Sequence, residues 1–161
     1  MSFGIHPLPL AGGTLALSPC PGRGGDFPAD LGVVLAWRPD LVISMTQGSE
    51  MTTLGAGGLE AALVAAGVDW RHMPVVDYGV PDAYADWAGV AGQALAVLSR
   101  GGRVLVHCMG GCGRSGMAAL RMMVDAGEEP EAALSRLRAV RPCAVETEAQ
   151  QAWAVSGQTA G

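Results

Sequence analysis

The stretch from Arg103 to Ala126 constrains this chain more than any other. Arg103-Val104-Leu105-Val106-His107 reads as a short apolar strand. It runs into Cys108-Met109-Gly110-Gly111-Cys112-Gly113-Arg114-Ser115-Gly116, a glycine-rich turn. Met117–Ala126 then reads as a buried helix stopped by Gly127. A strand that feeds a helix through such a turn belongs to a layered α/β fold, with the turn at the strand's carboxyl end.

The rest of the chain alternates in the same way. Thr14–Ser18 reads as a short strand, and residues 1–13 as an irregular arm or a first edge strand. Asp26 resembles an N-cap with Pro28 close behind, opening a helix to about Trp37 that stops before Pro39. Leu41–Met45 is a continuous apolar run, as in a buried parallel strand. Ala56–Ala66 reads as a helix ended by Gly67, and Trp70–Val75 as a strand. Asp82 is placed to cap a helix that continues to about Ser99. Pro130–Val140 is an amphipathic helix, and Glu146 to about Val155 a last one. The expectation is a mostly parallel central sheet of four to five strands flanked by helices, one domain over residues 1–161. Loops 46–55, 77–82 and 108–114 then meet at the strands' carboxyl ends.

Composition narrows the partners. The 161 residues suit one core and are too few for two comfortable ones. All 10 basic residues are arginine, against 15 acidic ones. The resulting net charge of −5 argues against a general binder of nucleic acid or of anionic membrane, both of which need a basic surface. No apolar run approaches a membrane span, and Pro7 and Pro9 interrupt any signal-peptide core. Cys20, Cys108, Cys112 and Cys143 show neither a secreted-disulfide pattern nor paired zinc-site spacing, so a reducing cytoplasm is expected.

The turn itself carries chemistry. Five residues separate Cys108 from Arg114, room for a loop that wraps a tetrahedral anion. Met109, Gly110, Gly111, Cys112 and Gly113 offer backbone N–H groups, and the next helix adds its positive end. Arg114 can grip two oxygens of a phosphate. The same donors favour a thiolate on Cys108, a nucleophile with no dedicated base. His107 is expected to hold the loop by hydrogen bonds, and Ser115 to donate its hydroxyl to the sulfur. Cys112 could pair with Cys108 under oxidation, although a small loop residue packing inward is the preferred reading. For Gln150 and Gln151 a capping or solvated role is preferred to holding a hydrolytic water. For Arg71 and His72 surface pairing is preferred to binding a second anion. Thr46 to Glu50 is a connection or a substrate rim, and Trp37, Trp70, Trp87 and Trp153 are core anchors.

His107–Gly116 matches the HC-x2-G-x2-R-[ST]-G signature, and here the chain resembles the protein tyrosine phosphatase superfamily. Met73–Asp82 looks like the general-acid loop of the small dual-specificity type. Arg141–Thr147 looks like their segment after the penultimate helix. The His107–Gly111 string and the Pro19-Cys20-Pro21 loop lean towards the kinase-associated phosphatase-like branch. Clear similarity spans about residues 70–150. The resemblance implies a cysteinyl-phosphate mechanism without metal or other cofactor. It maps the acid onto Asp77, preferred to Asp82, whose place after Pro81 fits an N-cap. The implied substrate is a phosphorylated protein or peptide, bearing phosphotyrosine and/or phosphoserine or phosphothreonine, and a monomer is expected. The uncharged loop interior favours a singly phosphorylated group over a phosphoinositide or nucleotide, which is the alternative on the same chemistry. A catalytically inactive phosphate-recognition module is the remaining alternative, opposed by the intact Cys108, Arg114 and Asp77.

Overall fold

The structure is a computed structural model and describes residues 3–157. Five strands form one sheet: β1 (His6–Leu10), β2 (Gly13–Ser18), β3 (Leu41–Ser44), β4 (Asp69–His72) and β5 (Arg103–His107). Their order is β1-β2-β5-β3-β4. Only the β1–β2 hairpin is antiparallel among these pairs. The N-terminal stretch thus supplies an edge strand, joined to β2 through Ala11 and Gly12, both at positive φ as a tight hairpin turn requires.

The helices are α1 (Phe27–Trp37), α2 (Gly48–Thr53), α3 (Leu59–Ala65), α4 (Trp87–Ser99), α5 (Gly113–Asp125), α6 (Pro130–Val140) and α7 (Glu148–Val155). Alternation along the strands divides the core. Leu15, Leu17, Leu41, Ile43, Val104 and Val106 join the cluster that also holds buried residues of α4 to α7. Ala16, Val42 and Leu105 face the other way, into the cluster holding residues of α1 to α3. The strands are apolar on both sides because both faces are covered, which is why β3 and β5 read as continuous runs. Each fully buried aliphatic side chain contributes about 1.5–3 kcal/mol.

Helix α5 is buried on nearly every side, with Arg121 half-buried and Asp125 exposed at its end. Among the described residues no helix is long and apolar enough to cross a membrane.

Several boundaries differ from expectation. Asp86, not Asp82, caps α4, accepting from Gly89 N at 3.0 Å. Burial decides this, since Trp87 and Val90 reach the core while residues 82–84 stay exposed. Strand β4 ends at His72, three residues early, although Met73 N and Val75 N still bond to Ser44 O and Met45 O. Helix α3 begins at Leu59, helix α7 begins at Glu148, and the expected 46–55 loop contains α2.

Candidate active site

Helix α5 begins at Gly113, four residues before the expected Met117, so Arg114 and Ser115 stand in its first turn. Two glycines of this stretch are required by close packing. A Cβ on Gly116 would lie 2.6 Å from Val145 N, and one on Gly111, at φ +73°, 2.6 Å from Ser18 C.

Four of the loop's carbonyls are claimed by donors beyond it. Cys20 N donates to Met109 O at 3.0 Å, Arg141 Nη2 to Gly110 O at 2.8 Å and Arg141 Nε to Gly111 O at 3.0 Å. Val145 N and Gly116 N donate to Cys112 O at 3.1 and 2.9 Å. In a trans peptide the following N–H points opposite to the carbonyl, and no peptide bond here is cis. Turning four carbonyls outward therefore turns the N–H groups of Gly110, Gly111, Cys112 and Gly113 toward the loop's interior, a nest for an anion.

Arg114 is fully buried. Its Nη1 and Nη2 meet the two carboxylate oxygens of Glu50 at 2.7 and 2.9 Å, and Nη1 also donates to Val75 O at 2.8 Å. Asp77 Oδ1 lies 3.4 Å from Nη2. The Nε of Arg114 is buried with no partner among the described residues. Arg114's hydrogen bonds hold the Glu50 carboxyl below the usual carboxylate range, against its partial burial. Glu50, placed by the sequence in a connection or substrate rim, is instead the partner of Arg114. Its signal was faint: Gln47 and Glu50 are spaced as a capping pair, and Gln47 N indeed donates to Glu50 Oε1 at 2.9 Å.

Cys108 is buried, and its Sγ lies 3.2 Å from Ser115 Oγ. Beneath them runs a polar row at the carboxyl ends of the strands, with His107 paired in register to Ser18 on one side and Ser44 on the other. Trp70 Nε1 donates to Ser44 Oγ at 2.9 Å, and Ser44 Oγ lies 2.5 Å from His107 Nε2. Cys108 O, 3.4 Å from Nδ1, can only accept, so Nδ1 carries the ring proton and Nε2 accepts from the Ser44 hydroxyl. Burial pulls the His107 pKa down to about 4, so this tautomer is neutral. His107 thus links Ser44 to the backbone carbonyl of Cys108.

Asp77 is about half exposed, at 46%, while Tyr78 N donates back to its Oδ1 at 3.0 Å. Asp82 instead accepts from Tyr84 N at 2.8 Å. Gln150 is fully buried, accepts from Glu146 N and Thr147 N through Oε1, and donates from Nε2 to Gly79 O at 3.2 Å. Gln151 is exposed. Arg71 pairs with Gln93 and Asp86 at the surface, and His72 Nε2 bonds with Thr46 O at 2.7 Å. Trp87 and Trp153 meet edge to face at 5.0 Å.

The cysteine expectations need correction. Cys112 neither pairs with Cys108 nor packs as a small inward residue; it forms a disulfide with Cys143. The loop turns its side chain to the 141–145 segment, which Arg141 brings against the loop and Arg138 supports through Ala144 O and Val145 O. A separation of 31 residues matches no paired motif, so spacing could not reveal it. Cys20 and Cys108 are free; burial pushes the Cys20 thiol up to about 12. Among the described residues no group of three or more His, Cys, Asp or Glu is placed to hold a metal ion.

A sheet of this order, with a cysteine–arginine loop at the end of its central strand and a separate carboxylate loop beside it, defines a cysteine-phosphatase architecture. The chain belongs to the protein-tyrosine phosphatase family, whose model matches residues 70–157, more than half of its length. Among curated proteins it is similar to cyclin-dependent kinase inhibitor 3 of Mus musculus, 34% identical over 76 residues. That match covers 47% of this chain, and the chain spans only about a third, 36%, of that relative. In fold it is similar to kinase associated phosphatase carrying a serine for its catalytic-site cysteine, with TM-score 0.87, 20% identity and 99% and 96% of the two chains covered. Tk-PTP in its active form aligns with TM-score 0.71 and 27% identity over 90% and 91% of the chains.

Proposed function

We propose that this chain is a cysteine-dependent phosphatase hydrolysing phosphate monoesters, with phosphotyrosine and phosphoserine or phosphothreonine in proteins as its substrates. The observation that carries the reading is the set of unpaired donors around Cys108. Four inward N–H groups and the buried Nε of Arg114, which has no partner among the described residues, form a site whose deficit is an anion with several acceptor oxygens.

The reaction has two steps. The Cys108 thiolate attacks phosphorus and forms the S–P bond as the P–O bond to the leaving group breaks, with Asp77 protonating that oxygen. Asp77 then takes a proton from the water that attacks the cysteinyl-phosphate. The sulfur leaves as a thiolate, assisted by the Ser115 hydroxyl at 3.2 Å. Arg114 and the loop amides stabilise the charge on the transferring group, so the chemistry needs no metal.

Three features favour a protein substrate. The rim is open: Tyr78 is 62% exposed and Tyr84 96%. The loop between Cys108 and Arg114 is uncharged, which suits a singly phosphorylated group. The curated relative is named as a cyclin-dependent kinase inhibitor and the similar fold as a kinase associated phosphatase. We assign the chain one catalytic unit acting as a monomer; the Cys112–Cys143 disulfide removes the cysteine pattern as an argument for a reducing cytoplasm.

The test is a panel of phosphotyrosine peptides, phosphothreonine peptides, phosphoinositides and nucleotides. Phosphate release from the peptides, abolished in Cys108→Ser while vanadate binding survives, is expected. Substantial turnover by that variant overturns the mechanism, and a strong preference for lipids or nucleotides overturns the substrate class.

A further inference from the structure

The segment between β4 and α4 carries Asp77 yet has few ties to the rest of the molecule. Arg114 holds its beginning, through Val75 O at 2.8 Å and the Asp77 carboxylate at 3.4 Å. Beyond Asp77 the hydrogen bonds are local: Gly79 N to Val76 O, Tyr84 N to Asp82 Oδ1 and Ala85 N to Asp82 O. Among the described residues, one hydrogen bond joins residues 78–85 to another element: Gln150 Nε2 to Gly79 O at 3.2 Å.

Gln150 is built for that bond. It is fully buried at the third position of α7. Its Oε1 accepts two backbone N–H groups, from Glu146 at 2.9 Å and Thr147 at 3.2 Å, which fixes which end of the amide is oxygen. The NH2 end has then one direction to take, and it meets Gly79, two residues past Asp77. The same amide lies against Gly113, where an added Cβ would sit 3.1 Å from both Gln150 atoms. One side chain therefore touches the helix cap, the start of α5 and the carboxylate loop together.

We infer that Gln150 is the positioning residue of the general acid: it latches the 77–82 loop through Gly79 and so sets where Asp77 meets the leaving oxygen. This rests on the proposed phosphatase reading. Gln150 itself touches no reacting atom. Its effect reaches catalysis only through Asp77, and so it depends on how much the leaving group needs a proton.

Aryl phosphates of graded leaving-group pKa read this out as kcat/KM, which reports the first chemical step. Gln150→Glu keeps the acceptor for Glu146 N and Thr147 N and turns a carboxylate oxygen onto Gly79 O. Expected is a loss of about tenfold or more for phenyl phosphate and little change for p-nitrophenyl phosphate. Expected too is no further loss when Gln150→Glu is added to Asp77→Ala. Thr147→Ala weakens the same helix cap without touching Gly79, and should keep the wild-type dependence on leaving group. Equal losses across the series, additivity with Asp77→Ala, or the same pattern in Thr147→Ala would each overturn the latch. If wild type releases no phosphate from any of these esters, or Asp77→Ala is as fast as wild type, the phosphatase reading or its acid assignment fails instead.

Discussion

Glu50 holds the guanidinium of Arg114 by both oxygens, at 2.7 and 2.9 Å, across 64 residues of chain. The arginine is wholly buried, so its charge has this carboxylate as its main compensation. Removing one partner of a buried pair strands the other. Glu50→Ala is expected to cost about 3 kcal/mol of stability, the lower end of the range for such losses. It should also lower kcat/KM, because Arg114 loses its orientation. Urea unfolding and steady-state kinetics check both effects; a variant as stable and active as wild type would show that Val75 O and Asp77 suffice.

The two candidate acids separate cleanly by substitution. Asp77 reaches Arg114, whereas Asp82 is engaged by Tyr84 N. Asp77→Ala should lower kcat by roughly 10²–10⁴, the contribution of a positioned acid, while Asp82→Ala should change kcat less than tenfold. The reverse pattern, measured with one phosphopeptide, would move the acid to Asp82.

Stability should fall on mild acidification. His107 is neutral in its buried row, with its pKa pulled to about 4 from 6.5. The unfolded chain binds a proton that the folded one refuses. The stabilisation is thus complete above pH 6.5 and is lost as pH drops toward about 4, by about 3 kcal/mol in all. His6, lowered by burial and by Arg141, adds in the same sense. Glu50, also lowered, keeps its stabilisation above its ordinary value of 4.5 and adds to the loss only below it. Urea midpoints at pH 7, 6 and 5 should decline in wild type and much less in His107→Gln. A flat wild-type profile would contradict the neutral buried histidine.

Thiol counting tests the cystine. Alkylation of unfolded protein without reductant should label Cys20 and Cys108, and after reduction all four cysteines. Cys143→Ser should cost about 3–4 kcal/mol, as expected for a closed loop of this size. Four labelled cysteines before reduction would refute the bond.

What was legible in the sequence had local causes. The apolar runs of β3 and β5 announce strands buried on both faces. Pro130 and the periodicity after it mark α6 to the residue. The cysteine, arginine and serine of the loop could be read because their spacing is short. What was not legible depends on meetings between distant residues. Glu50 sits in a polar string, Gly48-Ser49-Glu50-Met51-Thr52-Thr53, which reads as a loop until Arg114 gives it a purpose. Asp82 and Asp86 are equally good caps by type, and only the burial of Trp87 chooses between them. Gly116 shows its reason only when the 144–145 backbone is laid against it, and Gly113 only when the Glu146 and Gln150 side chains are.

The Cys112–Cys143 bond closes a ring that contains all of α5, the turn after it and α6. The exposed residues where α5 gives way to that turn, Asp125 to Gly127, are where a protease would find the backbone. A cut there would release nothing. The two pieces would stay joined beside the catalytic loop, and a nicked molecule would run as one species until a reductant parted it.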